Sequence, residues 1–235
     1  CLVYNLCMIN SEELKKFIPT YSLDRIESFI YSSDDTIDDI IERYQDNIKI
    51  SQALYPELAT LEVILRNSIN AALCKHISET WLEDEIANNT LLEENDYSLL
   101  ISAYNTTKKE CLSSKKELTS GRVIANLNFG FWTNLCMKKY NSKIWNKIYF
   151  FKGIFVNYPS KTQAIGVISQ KLYAIRKLRN RVFHYEQIFR YPKKTLKLYN
   201  EILELLSYLP KDNLNVVQDT SSFLYLYNQL AIKAK

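Results

Sequence analysis

The chain has 235 residues, with 30 Lys and Arg against 26 Asp and Glu for a formal charge of +4, and it contains only 4 glycines and 5 prolines. So few chain-bending residues exclude a turn-rich β architecture, and the near balance of charge excludes a wholly basic binder, so any contact with RNA phosphates falls to a local patch. The five cysteines Cys1, Cys7, Cys74, Cys111 and Cys136 form neither a C-x2-C metal site nor a disulfide framework, which fits a reducing cytoplasm, and no run of about 18 apolar residues is present to span a membrane.

Residues 1–10 read as an N-terminal extension and 11–235 as one all-α domain. The string C-L-V-Y-N-L-C before Met8 is too short for a signal peptide and is either vector-derived or an upstream segment. A short helix is expected over 11–18, capped by Ser11, and a second from Ser22 to about Tyr31. Ser32 to Asp35 forms a turn, and from Thr36 the apolar spacing Ile37, Ile40, Ile41, Tyr44, Ile48 predicts a helix to about Leu54, where Pro56 interrupts. Beyond it Leu58, Leu61, Leu65, Ile69 and Ala72 make a buried stripe, with Glu62 and Arg66 beside it at i, i+4 and Asn67 next in line. By its residues alone the Glu62–Arg66 pair is a surface ion pair.

His76 falls at the end of that helix, where a histidine usually caps or sits at the surface, and Trp81 anchors the following turn. Residues 82–96, with L-E-D-E and L-L-E-E-N-D, read as an acidic surface segment that RNA would avoid. A helix and a linker over 97–120 lead into G-R-V-I-A-N-L-N-F-G-F-W-T-N-L, whose aromatics fit a core better than a base-stacking platform. Lys138, Lys139, Lys143, Lys147 and Lys152, interleaved with Tyr140, Trp145 and Tyr149, form either a phosphate-tracking surface or an ordinary solvated helix. A loop over 153–161 then precedes a long helix over 161–183, and helices over 193–208 and 219–234 finish the chain.

The long helix carries I-R-K-L-R-N-R-V-F-H-Y-E-Q-I-F over 175–189, with one of only 2 histidines in the chain. At about 100° per residue, Ile165, Ile168, Leu172, Ile175 and Val182 share one apolar stripe, and Arg179 falls inside it. An arginine there either meets a buried carboxylate or lines a cleft, because an isolated charge in low dielectric is costly. Arg176, Asn180 and His184 follow at i, i+4, i+8 along the flank. The same R-K-L-R-N-R string also suits a solvated helix end whose cations complement the carbonyl pole of the dipole.

Arg179-Asn180-x-x-x-His184 resembles the R-x4-H pattern, with a polar residue after the arginine, of the HEPN superfamily of helical ribonucleases. The wider L-R-N-R-V-F-H-Y-E-Q-I-F block, with L-E-V-I-L-R-N at 61–67 and the Gly130-Phe131-Trp132 block, resembles its Abi-like (abortive-infection) branch over about residues 21–205. The chain departs at Tyr185, where many members carry a second histidine, so His184 is the motif's one imidazole.

That resemblance implies a HEPN-like helical bundle with additional helices, acting as an endoribonuclease with no cofactor and no metal. His184 would be general acid or base, Arg179 would stabilise the phosphorane, and Asn180 would hold a phosphate oxygen or orient the histidine. Glu62 or Asn67 would orient Arg179, with Arg66, Arg176, Arg181, Tyr185 and Glu186 supporting the site or binding substrate. It further implies an RNA substrate, a homodimer pairing two motifs, a cytoplasmic toxin or phage-defence role, and an RNA or protein antitoxin as restraint, with no membrane association. The alternative is an inactive RNA-binding or regulatory module of a defence or toxin–antitoxin complex, or a purely structural subunit of one.

Overall fold

The computed structural model describes residues 23–160, 164–210, 217 and 219–233. The helix expected over 11–18 lies outside these. Among the described residues there is no strand, and the fold is all-α. No helix among them is long and apolar enough to cross a membrane. The chain divides into two compact units, residues 1–58 with 177–200 and 217–235, and residues 59–176 with 201–216.

The first unit opens with α1 (Leu23–Glu27), shorter than the expected helix to Tyr31. Ile26 of that helix and Phe29 just after it are buried with Ile40 of α2 (Ile37–Ala53) in a small core. Thr36 caps α2 through a capping box: its hydroxyl accepts from Asp39 N–H and the Asp39 carboxylate accepts from Thr36 N–H. Leu54 alone separates α2 from α3 (Tyr55–His76), and Pro56 sits in the first turn of α3, where a missing N–H costs nothing. The end of α9 (Ile165–Phe183), the start of α10 (Pro192–Tyr208) and α11 (Phe223–Lys233) complete this unit. Phe223 stacks on Tyr199 at 4.2 Å between ring centres, and α11 packs against α2.

The second unit holds the rest of α3, then α4 (Trp81–Asn88), α5 (Glu94–Ser113), α6 (Ser120–Asn126), α7 (Phe129–Leu135), a 3₁₀ turn (Lys138–Tyr140), a π turn (Asn141–Trp145) and α8 (Ile148–Ile154). The predicted α3 stripe is buried throughout, Leu58, Leu61, Leu65, Ile69 and Ala72 all being 5% exposed or less. Phe131, Trp132, Trp145 and Phe150 are core, each contributing about 2 kcal/mol or more by leaving water. Trp81 donates from Nε1 to Asn70 Oδ1 at 2.9 Å and so fixes the turn after α3. His76 packs its ring against Tyr149 and Phe150, in keeping with a structural role.

The acidic stretch 82–96 is not all surface. Glu85 is buried and its carboxylate accepts from the backbone N–H groups of Thr90, Leu91 and Leu92, while buried Asp96 accepts from Asn134, Tyr140 and Lys139. A run of acids in sequence reads as solvated, but a carboxylate surrounded by donors is stable inside. The lysine run changes character for the same reason. Lys139 is held by Asp96 and Lys143 by Glu93 at 3.1 Å, and Tyr140 and Trp145 are core, so no continuous cationic and aromatic track exists there.

Candidate active site at the end of helix α9

Helix α9 buries Ile168, Leu172, Ile175 and Val182 of the predicted stripe, while Ile165 at its first turn is only half-buried and Leu178, outside that stripe, is buried as well. Arg179 lies within that face and is half-buried, with its guanidinium 4.4 Å from the centre of the Phe183 ring. Phe183 is one turn on, so the charge is drawn along the helix toward its C-terminal end.

That end carries His184. Its N–H still donates to Asn180 O at 2.9 Å, and it occupies the C-cap with an exposed side chain. Asn180, also exposed, shares the His184 edge at i, i+4. Arg179 and His184 are about 140° apart around an ideal helix, so their convergence depends on the reach of the arginine side chain.

Helix α9 stops because Tyr185 turns left-handed, at φ 56°. Tyr185 N–H then donates to Val182 O and Glu186 N–H to Arg181 O, the paired bonds of a Schellman motif. Glycine is the usual residue there, since a side chain in that region is strained. With 4 glycines in the chain, Asn89, Lys115 and Tyr185 take the three left-handed positions among the described residues instead.

The segment after the turn is held firmly. Arg181 pairs with Glu186 at 3.3 Å and donates from Nη2 to Gln187 O. Asn47 of α2, 2% exposed, accepts from Ile188 N–H at 2.7 Å and donates to Glu186 O at 3.1 Å, clamping the backbone on both sides of Gln187. Gln187 Nε2 donates to the Tyr31 hydroxyl, and the Arg43 and Arg190 guanidiniums lie 4.2 and 4.9 Å from the centre of the Tyr31 ring. Burial pushes the Tyr31 hydroxyl above its ordinary range, against the pull of those two cations. Arg43 in turn grips Asp35, whose carboxyl that hydrogen bond lowers to about 2.

The first unit thus brings Arg179, Asn180, Arg181, His184, Tyr185 and Glu186 to one helix end. Asn47 and Tyr31 were missed in the sequence, although Asn47 sits on the inner side of an otherwise apolar helical pattern, which is the available signal. Glu62, Arg66 and Asn67 belong to the second unit, where Arg66 Nε donates to Asn67 Oδ1 at 3.3 Å. Arg176 is also of that unit and reaches the C-terminal half of α7, donating to Asn134 Oδ1 at 2.5 Å, so it continues the Asp96–Asn134 network. Among the described residues no group of three or more His, Cys, Asp or Glu is placed to hold a metal ion.

No protein-family model, curated protein or solved structure matches the chain.

Proposed function

We propose that the chain is a metal-independent endoribonuclease of the Abi-like HEPN type, acting on RNA through Arg179, Asn180 and His184. The observation that carries the reading is the end of α9: an exposed imidazole on the same edge as Asn180, with the Arg179 guanidinium drawn toward the same turn. The support is this geometry together with the sequence resemblance.

In the proposed reaction His184 takes the proton of a ribose 2′-hydroxyl as its oxygen bonds to phosphorus. The bond from phosphorus to the 5′-oxygen breaks, and that oxygen leaves with a proton. The products are a 2′,3′-cyclic phosphate and a 5′-hydroxyl. Arg179 stabilises the charge that grows on the phosphorane oxygens, where a guanidinium fork is well matched. One helix supplies one imidazole, while in-line displacement gains from both a base and an acid. A symmetric homodimer bringing two 179–184 segments together supplies the second, so the proposal includes that dimer. The role that fits is a toxin or phage-defence effector under the restraint of an RNA or protein antitoxin.

Bulk RNA in EDTA, incubated with wild type, Arg179→Ala and His184→Ala, tests the reading. Wild type cuts and leaves cyclic phosphate ends, and both variants bind RNA without cutting. Cutting by His184→Ala at the wild-type rate sinks it. Equal inactivity of all three proteins, with binding retained, assigns the inactive RNA-binding module instead.

A further inference from the structure

Beside His184 the first unit has an open groove of about 460 Å³, lined by Ser51, Gln52, Tyr55, Val182, Phe183 and Tyr185. A volume of this size lies within the range of small-molecule sites, about 300 to 1,000 Å³. Its walls are aromatic and unusually open, with Tyr55 56%, Phe183 42% and Tyr185 59% exposed. Tyr55 and Phe183 have ring centres 5.9 Å apart, with their planes inclined at 48°. Tyr185 is held outward by a left-handed backbone that its side chain disfavours, and strain of that kind is found where a side chain's placement is needed.

Two further features bear on what fits. Gln52, exposed, is in the lining and carries an amide that can both donate and accept. Cations border the aromatic faces: Arg179 lies over Phe183 and Arg25 lies 6.0 Å from the centre of the Tyr185 ring, while Arg181 is shared with Glu186. A ligand for this groove therefore has a flat π face, hydrogen-bonding edges and an adjoining negative charge.

We infer that the groove is a base-stacking subsite that holds an unpaired nucleobase of single-stranded RNA, with its phosphate directed to the arginines beside His184. Naming RNA as the ligand rests on the nuclease reading. Stacking on Tyr55, Phe183 and Tyr185 is tolerant of base identity, since every base offers a π face, and the Gln52 amide is the group that bonds a base edge. A duplex keeps its bases stacked on one another and does not enter. On the helix, Phe183 is about 100° from His184, so the groove flanks the Asn180–His184 edge.

The test uses a short 2′-O-methyl oligonucleotide containing 2-aminopurine, which cannot be cut by 2′-hydroxyl attack, so binding is read apart from cleavage. Wild type quenches the fluorophore on binding. Tyr55→Ala weakens binding about fivefold or more, the loss expected for one stacked base, and Tyr55→Phe restores it. An oligonucleotide abasic at that position binds wild type and Tyr55→Ala alike. Equal affinity of wild type and Tyr55→Ala for the 2-aminopurine strand overturns the subsite, as does a duplex that binds as tightly as the single strand. Conversion of a dimer to a monomer by Tyr55→Ala also overturns it, assigning the groove to a contact between copies. If no protein cuts RNA yet binding depends on Tyr55, the subsite stands and the nuclease reading falls. If wild type cuts and Tyr55→Ala binds and cuts as well as wild type, the reverse holds.

Discussion

At the residue scale, the proposed chemistry concentrates in two side chains of different kinds. In that proposal His184 moves protons, and Ala in its place should lower kcat on RNA by about 10²- to 10⁴-fold with the fold intact, as stopped-time cleavage assays and circular dichroism would show together. Arg179 acts by shape as well as charge, so Arg179→Lys should recover little of the activity lost in Arg179→Ala. Tyr185 stands apart from both. Its left-handed φ of 56° carries strain that glycine lacks, so Tyr185→Gly should gain up to about 1 kcal/mol in urea unfolding while losing affinity for single-stranded RNA. A variant that gains neither stability nor loses binding would show that the Tyr185 ring is held by contacts worth as much as the strain.

At the scale of elements, the chain just beyond His184 is held by a clamp from α2. The buried amide of Asn47 satisfies both the Ile188 N–H and the Glu186 carbonyl, and Asn47→Ala leaves those two backbone groups to fend for themselves in the interior. The expected cost is about 2 kcal/mol or more by chemical denaturation, with kcat falling although Asn47 meets no substrate. The capping box of α2 is a separate case. Thr36→Ala removes the hydroxyl that receives Asp39 N–H and should cost about 1 kcal/mol without touching activity.

At the scale of the whole molecule, two carboxylates set opposite pH trends. Arg43 lowers the Asp35 carboxyl to about 2, so its contribution is complete above the ordinary value near 3.8 and is lost as pH falls from there toward 2. Burial raises Glu57, so the fold is favoured below its ordinary value near 4.5 and loses that advantage as pH rises through the raised value. Glu57 is fully buried, with Oε1 accepting from Ser221 and Oε2 lacking a hydrogen-bond partner among the described residues. Glu57→Gln should therefore match wild type at pH 4 and unfold at a higher temperature at pH 8, a comparison that differential scanning calorimetry makes directly. Assembly is the other property of this scale. The proposed composite site requires sedimentation at about twice the 27.6 kDa chain mass, and a wild type that cuts RNA as a monomer would remove the dimer from the mechanism.

The sequence by itself determined helices α2, α3 and α9 and most of their buried faces, because a 3.6-residue apolar period has one way to leave water, whereas the short helices α4, α6, α7 and α8 were not legible in it. The stripe from Leu58 to Ala72 and the face from Ile168 to Val182 follow directly from spacing, and Pro56 marks the break between α2 and α3. Spacing also singled out Arg179, Asn180 and His184, since a cation inside an apolar stripe is visible in one dimension. Only the tertiary structure decided the fate of polar groups whose partners are distant in the chain. Asp96 and Glu85 are buried because donors from elsewhere surround them, and Asn47 meets Ile188 across 141 positions. The physical reason is that burying an apolar side chain needs no particular neighbour, whereas a hydrogen bond or an ion pair needs one partner at one distance, and that partner is chosen by the fold.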